Sequence, residues 1–486
     1  MGKKLQGTQK TDSSGEQALG GDLATSRARK QGRPSQVKEQ NPQVFASYKQ
    51  TIEHFLKAFP EQISKLPDHR DQDFIYYSVP HFVYWGLSLF LTHQGSLHQH
   101  GLRKGDAQFV RNFCLFTGCS ESDLASEDTV IGFFKKLDPK FLEQAWFNTI
   151  QTLIRSKSLD FGKHGNRWML SFDGTGGGSS ARPYDARSLK RVRADGTTTY
   201  HRSALVAFLV LEEGFAIPIA VEFIENMEVN ASKQDCEIKA FHRLAQKIKG
   251  AFPQTPIWLL ADALYADQNV IRTCQKYGWG YSINLKETDL TAFWRDAQEI
   301  LQLSPQNKQE IKETRPDKKT RTKTYRWVNH VEYNDLKLSA VFLEEEEWQS
   351  QEEREALNHA GKKVKITSFS WITHQAIDRS NVVSNAQAGR QRWRCENEGF
   401  NVLKNGGFNL EHAYTRDRQG YQCFFVMMLM AHTIQQLVAK GSLLKKVIKQ
   451  IGSMKNLAKL LYEAFARGVF TEPIPPVAQI RLRPDH

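Results

Sequence analysis

The chain has 486 residues, 40% of them hydrophobic and 24% charged, with a formal net charge of +13. That length suffices for two or three domains with a real core, and the composition is that of a soluble globular protein. The positive surplus favours a polyanionic partner, nucleic acid ahead of a membrane surface, although a basic but indifferent surface fits the number as well.

The six cysteines form no Cys-x-x-Cys pair and no Cys/His cluster with zinc spacing. They read as small buried residues of a reducing compartment. The N-terminus lacks an apolar signal core, and the stretches FVYWGLSLFL (82–91) and FFVMMLMA (424–431) are too short to span a bilayer. The expectation is a cytoplasmic protein with no membrane partner.

Residues 1–44 are rich in Gly, Ser, Gln, Lys and Arg and read as a disordered basic arm, either touching DNA backbone or simply solvated. From 45 to 160 the apolar residues recur at three- and four-residue steps, as in VFASYKQTIEHFLKAF and LDPKFLEQAWFNTIQTLIRS. This predicts a helical N-terminal domain, a candidate for DNA binding.

The period changes near residue 166. NRWMLSFDG is a short apolar run, and HRSALVAFLVLEEGFAIPIAVEFIEN holds two runs around a Glu-Glu-Gly turn. An amphipathic helix, the apolar strand PIWLLA, a second helix closing on Gly278 and the strand WGYSINLKE follow. The order predicts a mixed sheet with crossover helices, an α/β core over residues 161–415. A β-rich insertion is expected at about 305–375, and residues 416–486 return to helix.

LSFDGTGGG (170–178) poses the chemical question. A phosphate-binding loop would need a Lys and a Ser or Thr after its last glycine, and DGTGGGSSARPY has no such Lys. A carboxylate reading remains, beside a plain strand-to-turn junction. Asp173 and Asp262 both end predicted strands, where open α/β sheets place ligands. An acidic residue there also serves as a helix N-cap, which fits Asp262 or Asp267. Two such residues on neighbouring strands form a candidate site for a divalent metal.

A third carboxylate is offered by RQRWRCENEGFNVLK as Glu396 or Glu398. On a regular helix Arg392 and Glu396 share a face and Lys404 returns near it, whereas Glu398 faces away with Arg394 as partner. A surface helix with spaced ion pairs fits either register.

These three stretches together resemble the DDE transposases of bacterial insertion sequences. The likeness is to the group with a Tyr-Arg-Glu-Lys signature on the Glu helix and a β insertion before it. Arg392 matches the signature Arg. Lys404 matches the Lys only after one extra residue, and Gly389 stands where the Tyr is expected.

The resemblance implies an RNase H-like core with Asp173, Asp262 and Glu396 as catalytic, metal-binding triad, Glu398 being the alternative Glu. It implies two Mg²⁺ ions per site, with Mn²⁺ able to substitute, and Arg392 and Lys404 positioned to hold phosphate. It implies double-stranded DNA partners: terminal inverted repeats and a target. Two ends must be joined together, so a homodimer on DNA is expected, nucleoid-associated when bound.

Two basic runs suit this. One holds Arg187, Lys190, Arg191 and Arg193; the other holds Lys318, Lys319, Arg321 and Lys323. Each reads as a phosphate contact or as a solvated loop. Trp327 beside the second run reads as a core residue or as a stacking platform for an unpaired base. The other readings are a catalytically inactive or repurposed DNA-binding relative and a metal-dependent nuclease that cuts without joining.

Overall fold

The computed structural model describes residues 35–226, 234–314, 320–348, 366–470 and 473–482. The helical N-terminal segment comprises α1 (Ser35–Phe55), α2 (Phe59–Ser64), α3 (Val79–Leu91), α4 (Leu97–Gly101), α5 (Ala107–Thr117), α6 (Glu127–Phe134) and α7 (Pro139–Arg155). The first of these starts at Ser35, inside the segment read from sequence as an arm. Side chains of Ser78, Ser96, Asp106, Ser126 and Asp138 accept backbone N–H bonds at the starts of α3 to α7, satisfying donors that a helix leaves open.

The strands are β1 (Lys163–His164), β2 (Arg167–Ser180), β3 (Leu189–Val192), β4 (Thr198–Leu211), β5 (Phe215–Ile224), β6 (Ile257–Ala261) and β7 (Gly280–Asn284). Helix α8 (Glu237–Ala251) links β5 to β6, and α9 (Gln268–Tyr277) links β6 to β7. Strand β2 is central: antiparallel to β4, which pairs antiparallel with β5, and parallel to β6, which is parallel to β7. The spatial order β5-β4-β2-β6-β7 is an RNase H-like sheet. Beta-branched, leucine and aromatic runs fill β4, β5 and β6 because these strands are covered on both faces.

After α10 (Thr291–Leu303) come β8 (Lys308–Thr314), β9 (Thr320–Tyr333), β10 (Leu336–Trp348) and β11 (Ile366–Thr373). These strands form the expected insertion. They are not a separate sheet: β11 pairs antiparallel with β7, so the insertion extends the core sheet to eleven strands among the described residues. Lys308–Thr314, read from sequence only as a polar basic segment, is a strand paired with β9. Its alternate residues are exposed, so no apolar stripe announces it.

The insertion has its own core of Tyr325, Trp327, Val341, Leu343 and Trp371, packed against Val382 and Ala386 of α11 (Val382–Arg390). Trp327 is thus a core residue. Ala388 of the same helix packs on Met169 and Trp258 of the central sheet. The insertion is therefore a platform that sets the helix leading to Glu396.

Beyond it lie α12 (Asn401–Asn405), α13 (Arg418–Lys440), α14 (Ile448–Ile451) and α15 (Met454–Arg467). By length and composition α13 could cross a membrane, yet 94% of its apolar window is buried inside the protein. It packs on α3, α7 and β5, joining the helical segments to the sheet through one core.

Candidate active site

Residues alternate across β2, and the alternation assigns the two faces of the site. Phe172 meets Phe241 of α8 at 5.4 Å between ring centroids, so the even positions face α8. Asp173 lies on the opposite face, where the Cys395 thiol donates to its Oδ2 at 3.6 Å.

The glycines after Asp173 are part of β2 and do not open a helix, which disposes of the phosphate-loop reading. They mark close approaches. A side chain at Gly177 would collide with the Tyr421 hydroxyl, and Gly178 has φ +94° with the Glu411 carbonyl against it. The strand passes these neighbours only because it carries no Cβ there.

Asp262 follows β6 and caps a single 3₁₀ turn, Ala263–Tyr265, its Oδ1 accepting from the Leu264 N–H at 2.9 Å. Asp267 caps α9. The capping reading therefore holds for both aspartates, and for Asp262 it engages one oxygen.

The third carboxylate sits in a distorted segment. Helix α11 ends at Arg390, and the N–H groups of Arg392, Arg394 and Cys395 then donate to carbonyls three residues back. Cys395–Phe400 forms a π-helical turn, a widening of the kind often found at functional sites. Glu396 accepts from Arg392 NH2 at 2.6 Å, and Arg392 NH1 lies 3.9 Å from Asp173 Oδ2. Glu398 turns away. It pairs with Arg394 at 3.5 Å beside Gly214, in the turn joining β4 to β5, whereas Asp173 is paired with Val206 further back along β4. The structure thus brings Asp173, Asp262 and Glu396 into one electrostatic neighbourhood and leaves Glu398 outside it.

Burial, with Glu396 and Asp262 adding to it against the pull of Arg392, raises the Asp173 carboxyl from 3.8 to about 6. Of the three acidic groups, Asp173 and Glu396 share the Arg392 guanidinium, and Asp262 has no ion-pair partner among the described residues. An all-oxygen donor set with surplus negative charge suits a hard divalent cation such as Mg²⁺ or Mn²⁺.

Two cations differ from the sequence expectation. Arg392 is only 4% exposed, with its guanidinium over the Trp393 ring at 4.9 Å; it is a buried counter-ion for two carboxylates. Lys404 pairs with Glu411 at 3.4 Å. The single helix face predicted for Arg392, Glu396 and Lys404 presumed a regular α-helix, and the π turn removes that register. At position 389 a side chain would run into the Trp371 ring, so the insertion leaves no room for the signature Tyr.

The first basic run forms a hairpin, β3 and β4, on the edge of the sheet. Arg187, Lys190, Arg191 and Arg193 are exposed there and have no carboxylate partner within 4 Å among the described residues. Arg202 anchors the hairpin: its guanidinium lies between the Tyr184 and Tyr421 rings at 4.3 Å each and donates to the carbonyls of Thr415 and Arg416. A groove of about 910 Å³ lies along the hairpin, lined by Arg191, Arg193, His201, Glu237, Leu264 and Glu411 among others.

In the second run, Lys318 and Lys319 lie outside the described residues. Arg321 is paired with Glu347 at 2.6 Å and Lys323 with Glu313 at 2.8 Å. Their charge is matched across the strands.

Sequence spacing did not anticipate one further cluster. His81, Cys119 and Glu121 place potential ligand atoms within 4.8 Å of one another. The Ala125 N–H donates to His81 Nε2 at 3.2 Å, and burial keeps the ring neutral. The proton is then on Nδ1, which faces Glu121 at 3.5 Å.

The comparison with known proteins agrees with the fold. The chain matches the model of the transposase DDE domain over residues 180–434 and belongs to that family. It is therefore a DDE transposase, of a family that acts on DNA and works with divalent metal ions. The matched stretch contains Asp262 and Glu396; Asp173 lies just before it. No curated protein is similar enough to match.

Proposed function

We propose that this transposase cleaves the strand at the ends of its element and transfers the freed 3′-hydroxyl into target DNA by two-metal in-line displacement. The observation that carries this reading is the electrostatic convergence of Asp173, Asp262 and Glu396, from β2, the end of β6 and the π turn, with buried Arg392 paired to Asp173 and Glu396. The three carboxylates would hold the ions, and bound divalent metal supplies activation of the nucleophile and stabilisation of the leaving oxygen.

The chain's own residues do the rest. Arg392 holds Glu396 and Asp173 in place and offsets part of their repulsion. The wall formed by α8 on one face and the π turn on the other restricts water around Asp173. The β3–β4 hairpin supplies exposed positive charge along the groove, fitted to the phosphates of the DNA approaching the carboxylates. Two ends have to meet for joining, so the working form is a homodimer on DNA.

The test is strand cleavage. Purified protein and its Asp262→Asn variant are incubated with the DNA flanking the gene, in Mg²⁺ and in EDTA. Metal-dependent nicking at the element ends, absent in the variant, is expected. Equal binding with no cutting by either protein would leave a DNA-binding relative, and cutting without joined product would leave a nuclease.

The hairpin has its own expected result. Arg191→Ala with Arg193→Ala lowers affinity for any duplex and reduces the slope of log affinity against log salt by about 2, one for each lost phosphate contact. An unchanged slope, measured by fluorescence anisotropy across a salt series, would remove the hairpin from the DNA interface.

A further inference from the structure

Glu237, in the first turn of α8, has no role in the reading above. Its nearest bland explanation is an acid favoured at a helix N-terminus. The contacts point elsewhere. The side chain reaches back under β2 until its carboxylate lies where a Cβ of residue 174 would be, so Gly174 is the residue that admits it. The Tyr265 hydroxyl, three residues after Asp262, donates to Glu237 Oε2 at 3.4 Å. No cation lies within ion-pair distance of Glu237 or of Asp262 among the described residues.

Charge is therefore balanced unevenly. Asp173 and Glu396 share Arg392. On the other flank the donors among the described residues are neutral: the Tyr265 hydroxyl to Glu237 and the Leu264 N–H to Asp262.

We infer that Glu237 is a fourth carboxylate of the metal site, placed beside Asp262 through Gly174 and Tyr265. The inference rests on the metal-site reading of Asp173, Asp262 and Glu396. Burial and the neighbouring Asp262 charge both raise the Glu237 carboxyl above its ordinary value. The site then has two acidic pairs, one held by a built-in arginine and one left for metal. The Gly of the Asp-Gly-Thr stretch is explained in the same way: it leaves room for a carboxylate arriving from a different element.

The experiment uses Fe²⁺ in place of Mg²⁺ on the full-length protein, with ascorbate and peroxide, so that hydroxyl radicals cut the backbone near the bound ion. Wild type is expected to be cut near Asp173, Asp262 and Glu237. In Glu237→Gln the cuts near Asp173 and Asp262 persist, but the Fe²⁺ concentration for half-maximal cutting rises about tenfold. Gly174→Ala, which displaces the carboxylate without changing its charge, is expected to shift the midpoint the same way. Glu411→Gln, another groove carboxylate whose partner is Lys404, is expected to leave it within twofold. Cuts near Asp173 and Asp262 with an unmoved midpoint in Glu237→Gln overturn the role of Glu237 alone. A midpoint moved equally by Glu411→Gln also overturns it, since any negative charge in the groove would then do. A wild type uncut near both aspartates overturns the metal site itself, and this inference with it.

Discussion

Replacing Asp173 by Asn is expected to abolish strand cleavage and, at the same time, to raise the melting temperature of the metal-free protein at pH 7.5. On the proposed metal site, the first effect follows from losing a charged ligand, roughly a thousandfold or more in rate. The second follows from where Asp173 sits. Its side chain is 19% exposed, and burial together with Glu396 and Asp262 lifts its carboxyl from 3.8 to about 6.

Below pH 4 the group is protonated whether the chain is folded or unfolded, and it costs nothing. Between pH 4 and 6 the unfolded chain releases this proton while the folded chain retains it, so stability falls as pH rises. Above pH 6 the penalty is constant at roughly 3 kcal/mol. Asparagine removes it, which for a chain of this size is an increase of a few degrees. Divalent metal offsets the same penalty in the wild type, because binding favours the ionised carboxylate. Thermal melts of both proteins at pH 4 and pH 7.5, with EDTA and with Mg²⁺, check this. A variant that is no more stable than wild type at pH 7.5 in EDTA would show that Asp173 is not a strained, proton-holding carboxylate. A variant that gains stability from Mg²⁺ as much as wild type does would place the metal elsewhere.

The second large effect separates two glutamates that stand two residues apart. Glu396→Gln is expected to reduce cleavage by roughly a thousandfold or more. The fold survives, because the Gln side-chain oxygen still accepts from Arg392. Glu398→Gln is expected to cut within about twofold of wild type. That variant loses a partly exposed ion pair to Arg394, which is worth at most about 1 kcal/mol. Single-turnover cleavage assays on the two variants, with circular dichroism to confirm folding, decide the matter. A dead Glu398→Gln beside an active Glu396→Gln would mean that the working state unwinds the π turn and presents the other face of the segment.

Parts of this protein were legible in its sequence because they are encoded over short distances. The apolar runs ending in Asp173 and Asp262, the Glu-Glu-Gly turn between β4 and β5 and the alternation of strand and helix are local patterns, and a mixed sheet with crossover helices follows from them. Asp262 after β6 was visible for the same reason, and so was Asp173, although it lies within β2 and not at its end, because the glycines beyond it continue the strand. Arg392 was visible as a residue but not as a buried one. A guanidinium four residues before a glutamate looks the same on an exposed helix as in a closed site, and only packing of the π turn onto β2 makes it a counter-ion.

Tertiary structure decided the rest. The Glu396 or Glu398 question had no firm local answer, since a helical wheel assumes 3.6 residues per turn. The platform built by Trp371 and its neighbours ends α11 at Arg390, and the backbone then tightens before it widens. Strand β8 carried no apolar stripe because one edge of a long sheet needs none. Glu237 carried no signal at all. Its partners are Gly174, far upstream on β2, and Tyr265, downstream after β6, and only the crossover of α8 brings the three together. Sequence by itself determined the core strands and where Asp173 and Asp262 fall along them, because backbone propensity and burial act residue by residue. Which carboxylates share a site, and which charge balances them, was decided by the folding of distant segments onto one sheet edge.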